Sequence, residues 1–205
     1  MVAVTKGHGV ETLRNALDCG LDHIGENYLQ EALPKLAAVG RRADVIWHFI
    51  GRLQANKTRA VAEHFAWVHS VDRLKIAERL SAQRPISAPA LNVCLEVSLE
   101  TEDSKSGIRP AELATVAKAV AALPRIQLRG LMCIPPAHAD PRTQRERFRH
   151  MRMLLAELRT AGNAVNCLSM GMSDDFELAI AEGATHVRIG TALFGPRASS
   201  AGATA

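Results

Sequence analysis

The chain has 205 residues, 47% of them apolar and 22% charged, with a formal net charge of +4. That length suits one domain with a sizeable core, and no apolar run approaches the roughly 18 residues of a membrane span. Aromatic residues make up only 4%, and the one dense basic run, residues 142–152, spreads its arginines all round a helix. Phe148, Met151, Leu154, Leu155 and Leu158 supply that helix with an apolar stripe, which describes a solvated face and argues against a nucleic-acid surface.

The first predicted element is a short β-branched strand, Val2-Ala3-Val4-Thr5-Lys6, followed at once by Gly7-His8-Gly9. Alternate residues of a strand share a face, so Val2, Val4 and Lys6 point the same way and the amine stands at the rim of a core. A desolvated lysine is a nucleophile toward aldehydes. Residues 10–19 have helical spacing, with Val10, Leu13 and Leu17 on one face and Gly20 as a stop. His23 to Asn27 reads as a brief strand, 28–39 as a helix that Pro34 limits or delays, and 45–50 as a strand ending at Gly51. A helix over 53–65, a strand over 66–71 and a helix over 73–82 with Asp72 as its cap follow. A proline-rich loop covers 84–89, a strand 91–97 and a polar loop 98–109; Pro110 then opens a helix to Leu123.

The next strand is 126–132, and 141–161 is the longest helix. A short strand over 167–170 leads into Gly171-Met172-Ser173, and a helix over 174–182 starts with Asp174 and Glu177 at capping-box spacing. The last strand, 185–189, runs into Gly190-Thr191, and residues 199–205 read as a small, polar, disordered tail. Eight strands alternating with helices and no linker predict one (β/α)8 barrel over residues 1–198. The alternative is an open doubly wound sheet, but no GxGxxG follows the first strand.

In such barrels the chemistry sits at the C-terminal strand ends, with phosphate often held after strands seven and eight. Small, donor-rich turns stand in both places, Gly171-Met172-Ser173 and Gly190-Thr191. Glycine lets backbone N–H groups approach an anion. Asp174 and Asp175 would repel a phosphate unless helix capping turns them outward. Arg188 lies on the inward face of the last strand and needs a partner there, either a ligand or an ion pair with Glu26 or Glu96. Asn27, His48, Asn56, Lys57, Lys105 and Met132 also fall at or near strand ends. The eight histidines are scattered without ligand spacing, which speaks against a metal. The four cysteines form no CxxC pair, and with no signal peptide they fit free thiols in a cytoplasmic protein.

Six segments together resemble one family: Ala3-Val4-Thr5-Lys6, Ile24-Gly25-Glu26-Asn27-Tyr28, His48-Phe49-Ile50-Gly51 on to Lys57, Ser104-Lys105-Ser106-Gly107, Leu168-Ser169-Met170-Gly171-Met172-Ser173-Asp174-Asp175 and Val187-Arg188-Ile189-Gly190-Thr191. In order and spacing they are similar to the pyridoxal phosphate homeostasis proteins, single-domain relatives of the barrel domain of alanine racemase. The resemblance implies a (β/α)8 barrel binding pyridoxal 5′-phosphate as a Schiff base on Lys6. It implies that Ser173, Gly190 and Thr191 hold the phosphate, that Arg188 lies near the cofactor ring, and that Asn27 and His48 line the pocket.

It further implies a monomeric, cytoplasmic protein that buffers or delivers the cofactor, with PLP-dependent apoenzymes as partners, no nucleic acid or membrane, and no robust catalysis of its own. The alternative is an amino-acid racemase, for which the only tyrosine, Tyr28, is a candidate base. Family members usually carry a helical segment before the first strand, whereas this chain starts directly at that strand. They usually have bulkier residues where Gly7-His8-Gly9 follows the lysine.

Overall fold

The computed structural model describes residues 1–40, 42–99, 106–136 and 140–196. Eight parallel strands form one sheet in the order β7-β6-β5-β4-β3-β2-β1-β8. They are β1 (Val2–Val4), β2 (His23–Glu26), β3 (Ile46–Phe49), β4 (Trp67–Val71), β5 (Leu91–Glu96), β6 (Ile126–Met132), β7 (Cys167–Ser169) and β8 (Arg188–Ile189). The sheet curls until its two ends meet. A parallel bridge joins Ser169 to His186, Met170 N–H donates to His186 O at 3.1 Å, and Arg188 N–H donates to Gly171 O at 2.9 Å. The expected (β/α)8 barrel is what forms.

The helices are α1 (Val10–Asp18), α2 (Leu29–Val39), α3 (Thr58–His64), α4 (Leu74–Gln83), α5 (Pro110–Ala121), α6 (Pro141–Thr160), α7 (Phe176–Ala181) and α8 (Thr191–Phe194). Strand alternation sends Ala3, Ile24, Phe49, Val68, Val93 and Leu168 outward, where they join the apolar stripes of the helices in one large core. Burying each of the larger side chains among these contributes about 1.5–3 kcal/mol, and Ala3 less.

Four local expectations are corrected. Helix α2 runs through Pro34, because the proline is exposed and the carbonyl it leaves unpaired, that of Gln30, lies on the wet face. Asp72 does not cap α4; its carboxylate takes the Arg73 guanidinium at 2.7 Å. Asp174 does not cap α7 either. The cap position is Asp175, whose carboxylate accepts from Met172 N–H and from Gln144 Nε2, each at 2.6 Å. The arginines of α6 are not merely solvated: Arg145 and Arg152 reach the buried Glu182 at 2.7 and 3.0 Å, and Arg149 stands at 3.8 Å.

The interior of the barrel is polar. Inward positions carry His23, His48, His69, Cys94, Cys167 and Arg188, with Met132 and Trp67 packed against the two thiols. Val2 and Val4 add buried apolar side chains beside β1. Between β1, β2 and α2 lies a buried ion pair. Lys35 Nζ is 2.6 Å from Glu26 Oε1 and 2.6 Å from the Thr5 carbonyl oxygen, while Thr5 Oγ1 donates to the same carboxylate oxygen.

Burial pushes the Glu26 pKa up, opposed by its bonds from Lys35 and Thr5. A carboxyl whose pKa is raised in the fold favours folding when protonated, and that contribution is lost as pH rises through the folded pKa. Lys35→Met should therefore cost about 3–5 kcal/mol at pH ~8, where it strands a buried carboxylate. It should cost much less near pH ~5, where that carboxyl takes up a proton. Urea midpoints at the two pH values check this, and an equal loss at both would refute it.

Candidate functional site

At the C-terminal end of β1 the chain makes a tight turn, with His8 N–H donating to Thr5 O at 3.1 Å. Gly7 takes φ +74°, the third-position conformation for which such a turn selects glycine. Gly7 N–H is tied to Glu31 Oε2 of α2 at 2.7 Å. Lys6 thus leaves the end of β1 from a backbone fixed on one side by Glu31 and on the other by Lys35 on Thr5 O. Its side chain enters a cavity of about 240 Å³ at the barrel's C-terminal mouth.

That cavity is lined by Val4, Lys6, Asn27, Ile50, Arg188, Gly190 and Thr191, together with Ile134, Met172, Ser173 and Asp174. Six of the seven residues singled out from the sequence therefore meet in one place. The turn after β7 depends on Gly171, at φ +94° with no room for a Cβ, which would lie 2.5 Å from the Ala179 side chain. Ser173 Oγ accepts from Ala192 N–H at 3.2 Å. This joins the turns after β7 and β8 and leaves the hydroxyl hydrogen of Ser173 to donate. Asp174 lies on the cavity wall yet is exposed, so solvent screens its charge. Asn27 Oδ1 is buried and has no hydrogen-bond partner, a cost the fold carries unless a ligand donor meets it.

Arg188 is 4% exposed. Its Nη1 donates to Ser169 Oγ at 2.8 Å and its Nη2 to Cys133 O at 3.0 Å. The alternative of an ion pair with Glu26 or Glu96 does not hold, since Glu26 is taken by Lys35 and Glu96 accepts from Ser106 at 3.1 Å. Burial draws the Arg188 pKa down from the ordinary guanidinium value, but an arginine remains a cation in a protein.

His48 is corrected. It is fully buried in the barrel interior between His23 and His69 and is not among the described residues lining the cavity. Asn56 and Lys57 are not among them either, Met132 lies in the interior, and Lys105 falls outside the described residues. Sequence reasoning missed Ser169, Cys133 and Lys35. Inward alternation in the seventh strand could have pointed to Ser169. Nothing local marks Lys35 or the Cys133 carbonyl.

The model of the alanine racemase N-terminal domain family matches residues 2–198. A pyridoxal phosphate homeostasis protein of Pseudomonas aeruginosa is 54% identical over 96% of this chain and 84% of that protein. The structure of PipY from Synechococcus elongatus PCC7942 with PLP bound superposes with a TM-score of 0.89 at 39% identity, covering 95% of this chain and 92% of that one. An alanine racemase from Corynebacterium glutamicum shares the fold at 21% identity, with a TM-score of 0.73 over 95% of this chain and 56% of that one. With a barrel of this form and likeness of this extent, the chain belongs to the pyridoxal phosphate homeostasis proteins, in the family built on the alanine racemase N-terminal domain.

Proposed function

We propose that the chain binds pyridoxal 5′-phosphate covalently through Lys6 and serves intracellular pyridoxal phosphate homeostasis, holding and releasing the cofactor without robust catalysis of its own. The observation that carries this reading is the single cavity where Lys6, Asn27, Ser173, Arg188, Gly190 and Thr191 converge, with Asn27 Oδ1 buried and unpartnered. The residues fit the group. Ser173, Gly190 and Thr191 offer hydroxyl and backbone donors for a phosphate, and Lys6 offers the amine. When bound, the cofactor supplies an aldehyde carbon that an amine can attack. Arg188 would hold a fixed cation against the bound group, which would disfavour protonation of a pyridine nitrogen, and Asn27 Oδ1 would be free to accept a hydrogen bond from that group. The name of the Pseudomonas relative and the PLP in the PipY structure support the same reading.

A racemase needs a second acid–base group facing the lysine. Tyr28 is exposed at the start of α2 and is not among the described residues lining the cavity. The remaining parts of the proposal are a monomer, PLP-dependent apoenzymes as recipients, and the cytoplasm as the place of action. The free cysteines suit that reducing compartment. No helix among the described residues is long and apolar enough to cross a membrane.

Borohydride reduction of protein incubated with pyridoxal phosphate should fix the cofactor on Lys6. Lys6→Ala should abolish the adduct while leaving the circular dichroism spectrum unchanged, and an adduct that persists on another lysine would overturn the assignment. Ser173→Ala removes one donor to the phosphate and should weaken cofactor binding roughly five- to tenfold, for a hydrogen bond of about 1–1.5 kcal/mol, as read by equilibrium dialysis. Cofactor-loaded protein mixed with L-alanine in deuterated water should exchange the α-proton no faster than free pyridoxal phosphate does. Exchange at enzyme-like rates would favour the racemase.

A further inference from the structure

The histidines scattered along the sequence meet inside the barrel in an unbroken chain. His23 Nδ1 lies 2.8 Å from His48 Nε2, and His48 Nδ1 lies 2.9 Å from His69 Nε2. His69 Nδ1 lies 2.7 Å from Ser169 Oγ, which accepts from Arg188 Nη1 at 2.8 Å. His48 and His69 are fully buried and His23 is half-buried. The chain begins at the first residue of β2, at the barrel's N-terminal mouth, and ends on the arginine that lines the opposite cavity. We infer that His48, His69 and Ser169 form an oriented hydrogen-bond relay that positions Arg188, with His23 as the terminal that sets its direction.

The orientation follows from counting protons. A neutral imidazole has one donor and one acceptor nitrogen, so within the chain all hydrogens point one way. In the outward arrangement Ser169 O–H donates to His69 Nδ1, His69 Nε2–H to His48 Nδ1, and His48 Nε2–H to His23 Nδ1. In the inward arrangement His23 Nδ1–H donates to His48 Nε2, His48 Nδ1–H to His69 Nε2, and His69 Nδ1–H to Ser169 Oγ. Ser169 then accepts from both His69 and Arg188, and its own hydrogen loses its acceptor in His69. The outward arrangement satisfies every hydrogen in the chain and is the neutral ground state.

A protonated His23 must donate from both nitrogens, which only the inward arrangement allows. Uptake of one proton by the chain therefore moves the hydrogens of His48 and His69 from Nε2 to Nδ1. It also makes Ser169 a double acceptor, which loosens its hold on Arg188. Burial holds His48 and His69 neutral, with their pKa values well below the ordinary value, reinforced by the neighbouring histidines and, at His69, by Arg188. The groups acting on His23 are Asp22, which favours its charge, and the Met1 amine and His186, which oppose it; burial outweighs Asp22, and its pKa is lowered. The consequence for the cofactor rests on the placement of Arg188 proposed above, but the relay itself does not.

The test uses ¹⁵N-labelled protein without cofactor, so it stands apart from the borohydride result. Long-range ¹H–¹⁵N correlation of the imidazoles should show N–N coupling across both histidine contacts. At high pH His48 and His69 should be Nε2-protonated. As the pH is lowered through the titration of His23, which burial moves below the ordinary imidazole value, both should exchange their Nδ1 and Nε2 shift types together while remaining neutral. In His23→Gln, which cannot take up the proton, neither should exchange. Absent coupling, tautomers that stay fixed while His23 titrates in the wild type, or exchange that persists in His23→Gln, would each overturn the relay. Loss of fold in the variant would leave the wild-type titration to decide.

Discussion

A buried charge pair beside the C-terminal end of β1 holds the backbone that precedes Lys6 in place. Lys35 reaches from α2 to Glu26 and to the carbonyl of Thr5, the residue before Lys6. Both charges are almost wholly removed from water, and Glu26 Oε2 has no partner at all. Such a pair returns little net stability, because desolvation cancels most of the attraction and an apolar replacement is often as stable. Its value is positional. A methionine in place of Lys35 alone would strand the Glu26 carboxylate and lose the bond to the carbonyl of Thr5, the residue before Lys6. Glu31 completes the fixation from the same helix by taking the N–H of Gly7, so one face of α2 aims Lys6 from two sides.

The opposite wall of the cavity is held by charges that look incidental in the sequence. Arg145, Arg149 and Arg152 recur at helical spacing and converge on Glu182, at the C-terminal end of α7. Gln144 meets Asp175 at the other end of that helix. Two contacts from α6 therefore pin α7 at both ends, and α7 follows directly on the Gly171-Met172-Ser173 turn. A run that reads as a solvated face is solvated only in part: each arginine is about half exposed while its tip fixes the helix behind the turn.

This contrast explains how much could be read in advance. The eight strands, their alternation with helices, and the cavity residues Lys6, Asn27, Ser173, Arg188, Gly190 and Thr191 were legible because each sits at a strand end beside a local turn signal. His48 was misplaced because its position in the sequence, at a strand bordering Gly51, gives no depth along the barrel axis. The partners of His48 are His23 and His69, from neighbouring strands, and the chain continues to Ser169, 100 residues beyond His69. Only closure of the barrel brings β7 within reach of β4. Caps failed for a different reason. Asp72 and Asp174 have the right type and spacing, but Arg73 offers the first a nearer partner, and Asp175, one residue on, takes the position from the second.

A barrel interior filled with histidines, thiols and an arginine is costly compared with an aliphatic one, since each buried polar group must find a partner. It is tolerable here because the groups partner one another in sequence, from His23 to Arg188. The arrangement also separates two tasks. The C-terminal mouth brings together an amine, several hydrogen-bond donors and a cation, the set that the proposed binding of a phosphorylated aldehyde would use. A cation there would keep a pyridine ring from acting as a strong electron sink, so under that proposal the residue beside the ligand would also restrain its chemistry. The buried contacts that hold Arg188 in place, Ser169 and the Cys133 carbonyl, would bear on the proposed function as directly as the cavity residues themselves.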